Sequence, residues 1–128
     1  MNDQDIEQQI QDAGKTAPRV TPDQIASVIV SEVYFSAANG LVGANKEVEE
    51  RNLNPINETQ ELDNLNQLEL LTFCVLVLSN GFTVTGESAC ASPENFDAEI
   101  GRKIARENAV NKVWMLEGYL LKQKLSEG

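Results

Sequence analysis

The stretch from Leu71 to Arg106, LTFCVLVLSNGFTVTGESACASPENFDAEIGRKIAR, constrains the fold most tightly. Leu70 to Leu78 is continuously apolar, with Phe73, Val75 and Val77 on one face and Cys74 and Leu76 on the other. A run of this kind suits a central strand buried on both faces. Ser79-Asn80-Gly81 follows, and Asn-Gly supplies the positive φ angles of a hairpin turn. Phe82 to Ala91 then reads as the return strand, with Gly86 marking a bulge or a close backbone approach. Ser92-Pro93-Glu94-Asn95 predicts a helix start, with Ser92 as N-cap, Pro93 at N1 and Asn95 at N3. The helical pattern continues to about Lys124, with Gly118 as a point of bending or interruption. The expected architecture is therefore α+β: an antiparallel sheet built on a hairpin at about 70–91, packed on a long helix at about 93–124.

On that helix, Phe96, Ile100, Ile104, Val110, Trp114 and Leu121 share one side, and Ala98, Ala105, Ala109, Val113, Leu116 and Leu120 the other. A surface helix ordinarily carries one apolar stripe. Two opposed stripes imply cover on both sides, by the sheet and by either N-terminal helices or another subunit; the second reading predicts a homo-oligomer, dimer or higher, through the long helix. Trp114 and Tyr119 read as core or interface residues.

Upstream, Ile6, Ile10 and Ala13 are spaced for a short helix over 3–13 ended by Gly14, or else residues 1–20 form a mobile tail. Thr21-Pro22-Asp23 predicts a second helix, to about Ser31, burying Ile25, Val28 and Ile29. SEVYF alternates like a strand at 32–37, and Asn39-Gly40 reads as a turn. Residues 39–69 are rich in Asn and Glu and read as a long acidic and polar loop region. A loop of this length is unusual inside a compact domain, so part of it is either helix or mobile. It is either a flap over a site or a variable surface insertion.

A chain of 128 residues suits a single domain, 1–128. Its net charge of −10 argues against nucleic-acid polymers and anionic membranes as partners, since both are bound through Lys and Arg. No apolar run reaches the roughly 20 residues of a membrane span. The absence of His removes the commonest general base and metal ligand. Cys74 and Cys90 lie in apolar runs without metal-ligand spacing, which fits buried thiols in a reducing cytosol. Nothing in the sequence implies a cofactor.

Against this acidic background, Arg102, Lys103 and Arg106 cluster near the start of the long helix, and Asn95, Glu99, Arg102 and Arg106 line one face. Two guanidiniums one turn apart can grip phosphates through paired N–H donors, and a helix N-terminus adds positive potential. The alternative is a solvated face of ordinary ion pairs. Phe82, just past the turn, is either a stacking platform for a base or a core residue. The carboxylates Glu87, Glu94, Asp97 and Glu99 could serve acid–base chemistry or a hard cation, but no nucleophile or phosphate loop accompanies them, so no enzyme is expected.

The segments NGFTVTGESAC, SPENFD, GRKIARENA and W-x-LEGYLL together resemble a family of small tailed-phage accessory proteins known by gene position in coliphages and Shigella phages. The resemblance covers about Leu71 to Leu121 and departs at Met115, where Pro would follow the Trp. The family in turn is similar to the phage anti-Thoeris sponge proteins of the first described type. That likeness implies an oligomeric decoy in the cytoplasm of the infected bacterial host. Such a decoy holds cyclic ADP-ribose isomers, and at a separate site small cyclic oligonucleotides, without degrading them, in pockets shared between subunits. By position in the motif, Phe82 and Asn95 would contact the base, and Arg102 and Arg106, with Lys103 beside them, the phosphates. The competing reading is an acidic interaction protein that inhibits a host protein directly, with the polar 44–69 stretch as contact surface.

Overall fold

A computed structural model describes residues 2–15, 17–52 and 64–128. The elements are α1 (Asp3–Asp12), α2 (Pro22–Val28), β1 (Ile29–Ser36), α3 (Ala37–Arg51), α4 (Leu65–Leu68), β2 (Leu71–Leu78), β3 (Thr83–Ala89) and α5 (Ala98–Glu127). The strands form an antiparallel sheet in the order β1-β2-β3, so the apolar run is indeed central. The fold is the expected α+β arrangement.

The hairpin closes through Leu78 N–H to the Phe82 carbonyl, with Gly81 at φ +89° and the Phe82 N–H donated to the Asn80 side chain. One face of β2, Thr72, Cys74, Leu76 and Leu78, is buried beneath α5. The helix contributes Ala105, Ala109 and Val113, all fully buried. Small residues let it come close. A Cβ on Gly86 would stand 2.1 Å from the Ala105 carbonyl oxygen and 2.3 Å from the Ala109 nitrogen. Gly86 is thus the close approach that an isolated strand glycine signals. The other face of β2 differs from expectation: Phe73, Val75 and Val77 are only half-buried, and Val33 and Phe35 beside them on β1 are exposed. This outer face has no covering layer among the described residues.

The long helix begins later than the Ser-Pro signal predicts. Pro93–Asn95 forms a separate 3-10 turn, and Ser92 bonds the Glu94 carboxylate instead of capping. Phe96 is extended, and Asp97 is the true N-cap, accepting from the N–H groups of Glu99 and Ile100 at 2.9 and 3.1 Å. Asn95 therefore does not occupy N3. A carboxylate at the N-cap satisfies orphan donors and complements the dipole, which is why Asp97 prevails over the earlier Ser-Pro. Gly118 does not interrupt α5, which spans 30 residues, or about 45 Å. Its last turns, with Met115, Tyr119, Leu120 and Leu125 exposed, run past the sheet.

Upstream, α2 ends at Val28 and β1 begins at Ile29, earlier than expected, with a bulge between Ile29 and Ser31. Asn39-Gly40 is not a turn but lies in the first turns of α3. Ser36 caps that helix, and Ser36 and Asn39 exchange side-chain bonds with each other's N–H in a capping box. Burial of Ala38 and Leu41 outweighs the helix cost of Gly40 and Gly43, about 1 kcal/mol each. The 39–69 stretch is thus helical over Ala37–Arg51 and Leu65–Leu68; residues 53–63 lie outside the described residues. Residues 3–12 are helical, with Asp3 accepting the Trp114 indole N–H at 3.0 Å and Arg19 gripping the Glu7 carboxylate through its two terminal guanidinium nitrogens. The second apolar stripe of α5 divides: Val110 and Trp114 pack into the body, whereas Ile100 and Ile104 remain exposed.

Candidate functional site

A cavity of about 330 Å³ opens where β1 passes into α3 and α5 begins. It is lined by Tyr34, Phe96, the polar residues Ser36, Asn39, Thr72 and Glu69, and Arg102, and it borders Phe35, whose ring lies against Phe73 at 5.7 Å on the outer face. The sequence explains the convergence. Ser36 both ends β1 and caps α3, so the strand's last aromatics and the helix N-terminus meet at one point. Leu71 starts β2 alongside, and Asp97 starts α5 so that Arg102 falls in its second turn. Gly101 lets the helix settle on Thr72; a Cβ there would lie 3.1 Å from the Thr72 hydroxyl.

The basic cluster separates into three environments. Arg102 makes no ion pair among the described residues. Lys103 pairs with Glu99 at 3.5 Å on an open helix face, a solvated pair of little energetic weight. Arg106 reaches across to β1, its Nε donating to Glu32 Oε1 at 2.9 Å. The other oxygen of Glu32 accepts from the Tyr34 hydroxyl at 3.0 Å. Burial, and then the bond to the Glu32 carboxylate, push the Tyr34 phenol up to about 12. Burial likewise raises the Cys74 thiol, which lies under Tyr34 in the sheet register, so this cysteine stays a protonated core residue.

Phe82 and Asn95 do not join Arg102. Phe82 is 57% exposed at the hairpin and lines a second groove, about 460 Å³, with Val28, Leu78, Asn80, Leu116, Tyr119 and Leu120. Thr72 borders the first cavity and Leu78 the second. Leu78 lies six residues along the strand from Thr72, about 20 Å away. Asn95 is exposed in the 3-10 turn and lines neither space. The sequence reading overlooked Tyr34, Phe35, Ser36, Asn39 and Phe96. The usable signal was Ser36-x-x-Asn39, a capping pattern directly after two aromatics.

A cavity with aromatic lining, a guanidinium that has no ion pair among the described residues and a helix N-terminus can hold a flat ring bearing an anion. Among the described residues no group of three or more His, Cys, Asp or Glu could hold a metal ion, and no helix is long and apolar enough to cross a membrane. The geometry is that of a small α+β protein with a ligand-sized cavity at one end of its sheet. Over residues 20–125 the chain matches the family described as Phage protein (N4 Gp49/phage Sf6 gene 66), and it belongs to that family. The match takes in the N-terminal half from residue 20 onward as well as the hairpin and helix. No curated protein and no solved structure matches the chain.

Proposed function

We propose that this phage-family protein binds and sequesters cyclic nucleotide immune signals, cyclic ADP-ribose isomers or small cyclic oligonucleotides, without degrading them, in the cytoplasm of the infected host. The observation that carries the reading is the cavity in which Tyr34 and Phe96 stand beside Arg102, which has no ion pair among the described residues, with Arg106 one turn further on. Rings stack on bases, and guanidiniums take phosphates. The separation of Phe82 from Arg102 shapes the proposal. One small ligand touches both only if they come from different protomers, and the uncovered outer sheet face and the exposed end of α5 offer apolar surface for such a homo-oligomer.

Titration calorimetry against cyclic ADP-ribose isomers and a panel of cyclic di- and trinucleotides, followed by recovery of the ligand after heat denaturation, tests the proposal. Tight binding, release of intact ligand and a loss of about tenfold or more in Arg102→Ala are expected. Altered ligand would mean an enzyme, and no binding across the panel would overturn the reading. A second reading, direct inhibition of a host protein, draws on the net charge of −10 and the same outer face. It predicts capture of a basic host protein and indifference to Arg102→Ala.

A further inference from the structure

Arg102 and Arg106 lie one helical turn apart, with Cβ atoms about 6 Å from each other, yet only Arg102 lines the cavity. Arg106 is held back by Glu32. Both oxygens of that carboxylate are engaged, one by Arg106 Nε at 2.9 Å and the other by the hydroxyl of Tyr34, itself a cavity wall. The contact joins α5 to β1 across 74 residues of sequence, unlike the neighbouring Glu99–Lys103 pair within one helix. Tyr34 lies opposite Cys74 in the strand register, which fixes β1 at this point.

We propose that Glu32 is an internal counter-anion that sets which anions this site accepts. The inference rests on the reading of the Arg102 cavity as a phosphate site. A single phosphate group is satisfied by Arg102 alone and leaves the Arg106–Glu32 pair intact. A ligand with two linked phosphates presents a second anionic group one turn along the helix, where it competes with Glu32 for Arg106. Glu32 thus charges a fixed electrostatic cost for engaging the second guanidinium, and a ligand must carry enough negative charge to displace it. Tyr34 ties that displacement to the cavity wall, since moving Glu32 breaks the hydrogen bond that holds the hydroxyl of this lining residue.

The test is calorimetric titration of inorganic pyrophosphate and of orthophosphate into the full chain and into Glu32→Gln, Arg106→Ala, the Glu32→Gln/Arg106→Ala double variant and Arg102→Ala. Glutamine keeps an acceptor for Tyr34 and removes the charge that holds Arg106. Glu32→Gln is expected to tighten pyrophosphate about fivefold, the scale of a partly exposed ion pair, and to leave orthophosphate nearly unchanged. In the Arg106→Ala background the gain disappears, giving a non-zero coupling in the cycle. A gain of equal size with and without Arg106 would mean a general field effect and overturn the proposal, as would no gain at all. Were the parent chain to bind pyrophosphate through Arg102 with Glu32→Gln silent, the cavity reading would stand and the role of Glu32 would fall. Were no variant to bind pyrophosphate, both would fall. If Glu32→Gln does not fold, Glu32→Asp, which keeps the charge but shortens its reach, must show a smaller gain in the same direction.

Discussion

Replacing Gly86 with alanine adds one methyl group at the closest contact between β3 and α5. The new carbon would stand 2.1 Å from the Ala105 carbonyl oxygen, 2.3 Å from the Ala109 nitrogen and 2.9 Å from the Ala109 Cα. All three are backbone atoms of a helix, so no rotamer change relieves the clash. The helix has to lift by about 1.3 Å, from 2.1 Å to the 3.4 Å at which ordinary contact begins, loosening Ala105, Ala109 and Val113 from Cys74 and Leu76 at the centre of the core. Overpacking of rotatable side chains typically costs 1–3 kcal/mol; two rigid backbones place this case at about 3 kcal/mol or more. For a chain of this size that corresponds to a fall in Tm of about 10 °C. Thermal and urea denaturation followed by circular dichroism measures it, with the urea midpoint falling and the m-value unchanged. Gly43→Ala is the internal control. It sits inside α3 with nothing within 4 Å of the added carbon, so the same chemical change should raise stability by up to about 1 kcal/mol. A Gly86→Ala protein melting within about 2 °C of the parent would refute the packing of α5 on β3 described above.

The start of α5 gives a second test: Asp97→Ala should cost about 1 kcal/mol in urea melts because it removes an N-cap, whereas Ser92→Ala should change almost nothing. Hydrogen bonding from Arg19, then from Gln11, holds the Glu7 carboxyl near 2 against an ordinary 4.5. Its folded value is depressed, so its contribution is complete above about pH 4.5 and is lost as the pH falls towards 2. Fluorescence of Trp114, the single tryptophan and the residue bonded by α1, should report the loosening of α1 in that window, and Arg19→Ala should move it to higher pH. Tyr34 has a raised value, so the stability of its neutral form is complete below about pH 10 and is lost as the pH rises through about 12. Ultraviolet titration should show one of the two tyrosines ionising only near pH 12.

The central hairpin was readable because apolar continuity, an Asn-Gly turn and a flanking glycine all agreed over Leu71 to Ala89. The start of α5 misled because Ser92-Pro93 and Asp97 both carry cap chemistry, and only the extended backbone at Phe96 decides between them. Asn39-Gly40 misled for a related reason: the dipeptide favours a turn, but Asn39 also completes a local capping box with Ser36, and the burial of Ala38 and Leu41 is a non-local gain that a short window does not weigh. At the site, the pair Arg102 and Arg106 follows from helical spacing alone. What spacing could not supply was the strand opposite. The pairing of Arg106 with Glu32 and the placing of Tyr34 near Arg102 depend on β1 lying next to β2, a long-range register written in no single segment.

The connection between β1 and β2 leaves and re-enters the sheet at the same end, beside the Arg102 cavity, and comprises residues 37–70. Closing a chain excursion costs free energy only logarithmically, so doubling its length adds about 0.6 kcal/mol. Relatives can therefore lengthen, shorten or rewrite this excursion while the strand register and the α5 packing stay as they are. Both its ends supply cavity walls, Ser36 and Asn39 from one side and Glu69 from the other. Under the proposed function, ligand preference can drift quickly under selection while the scaffold that presents the two arginines stays fixed.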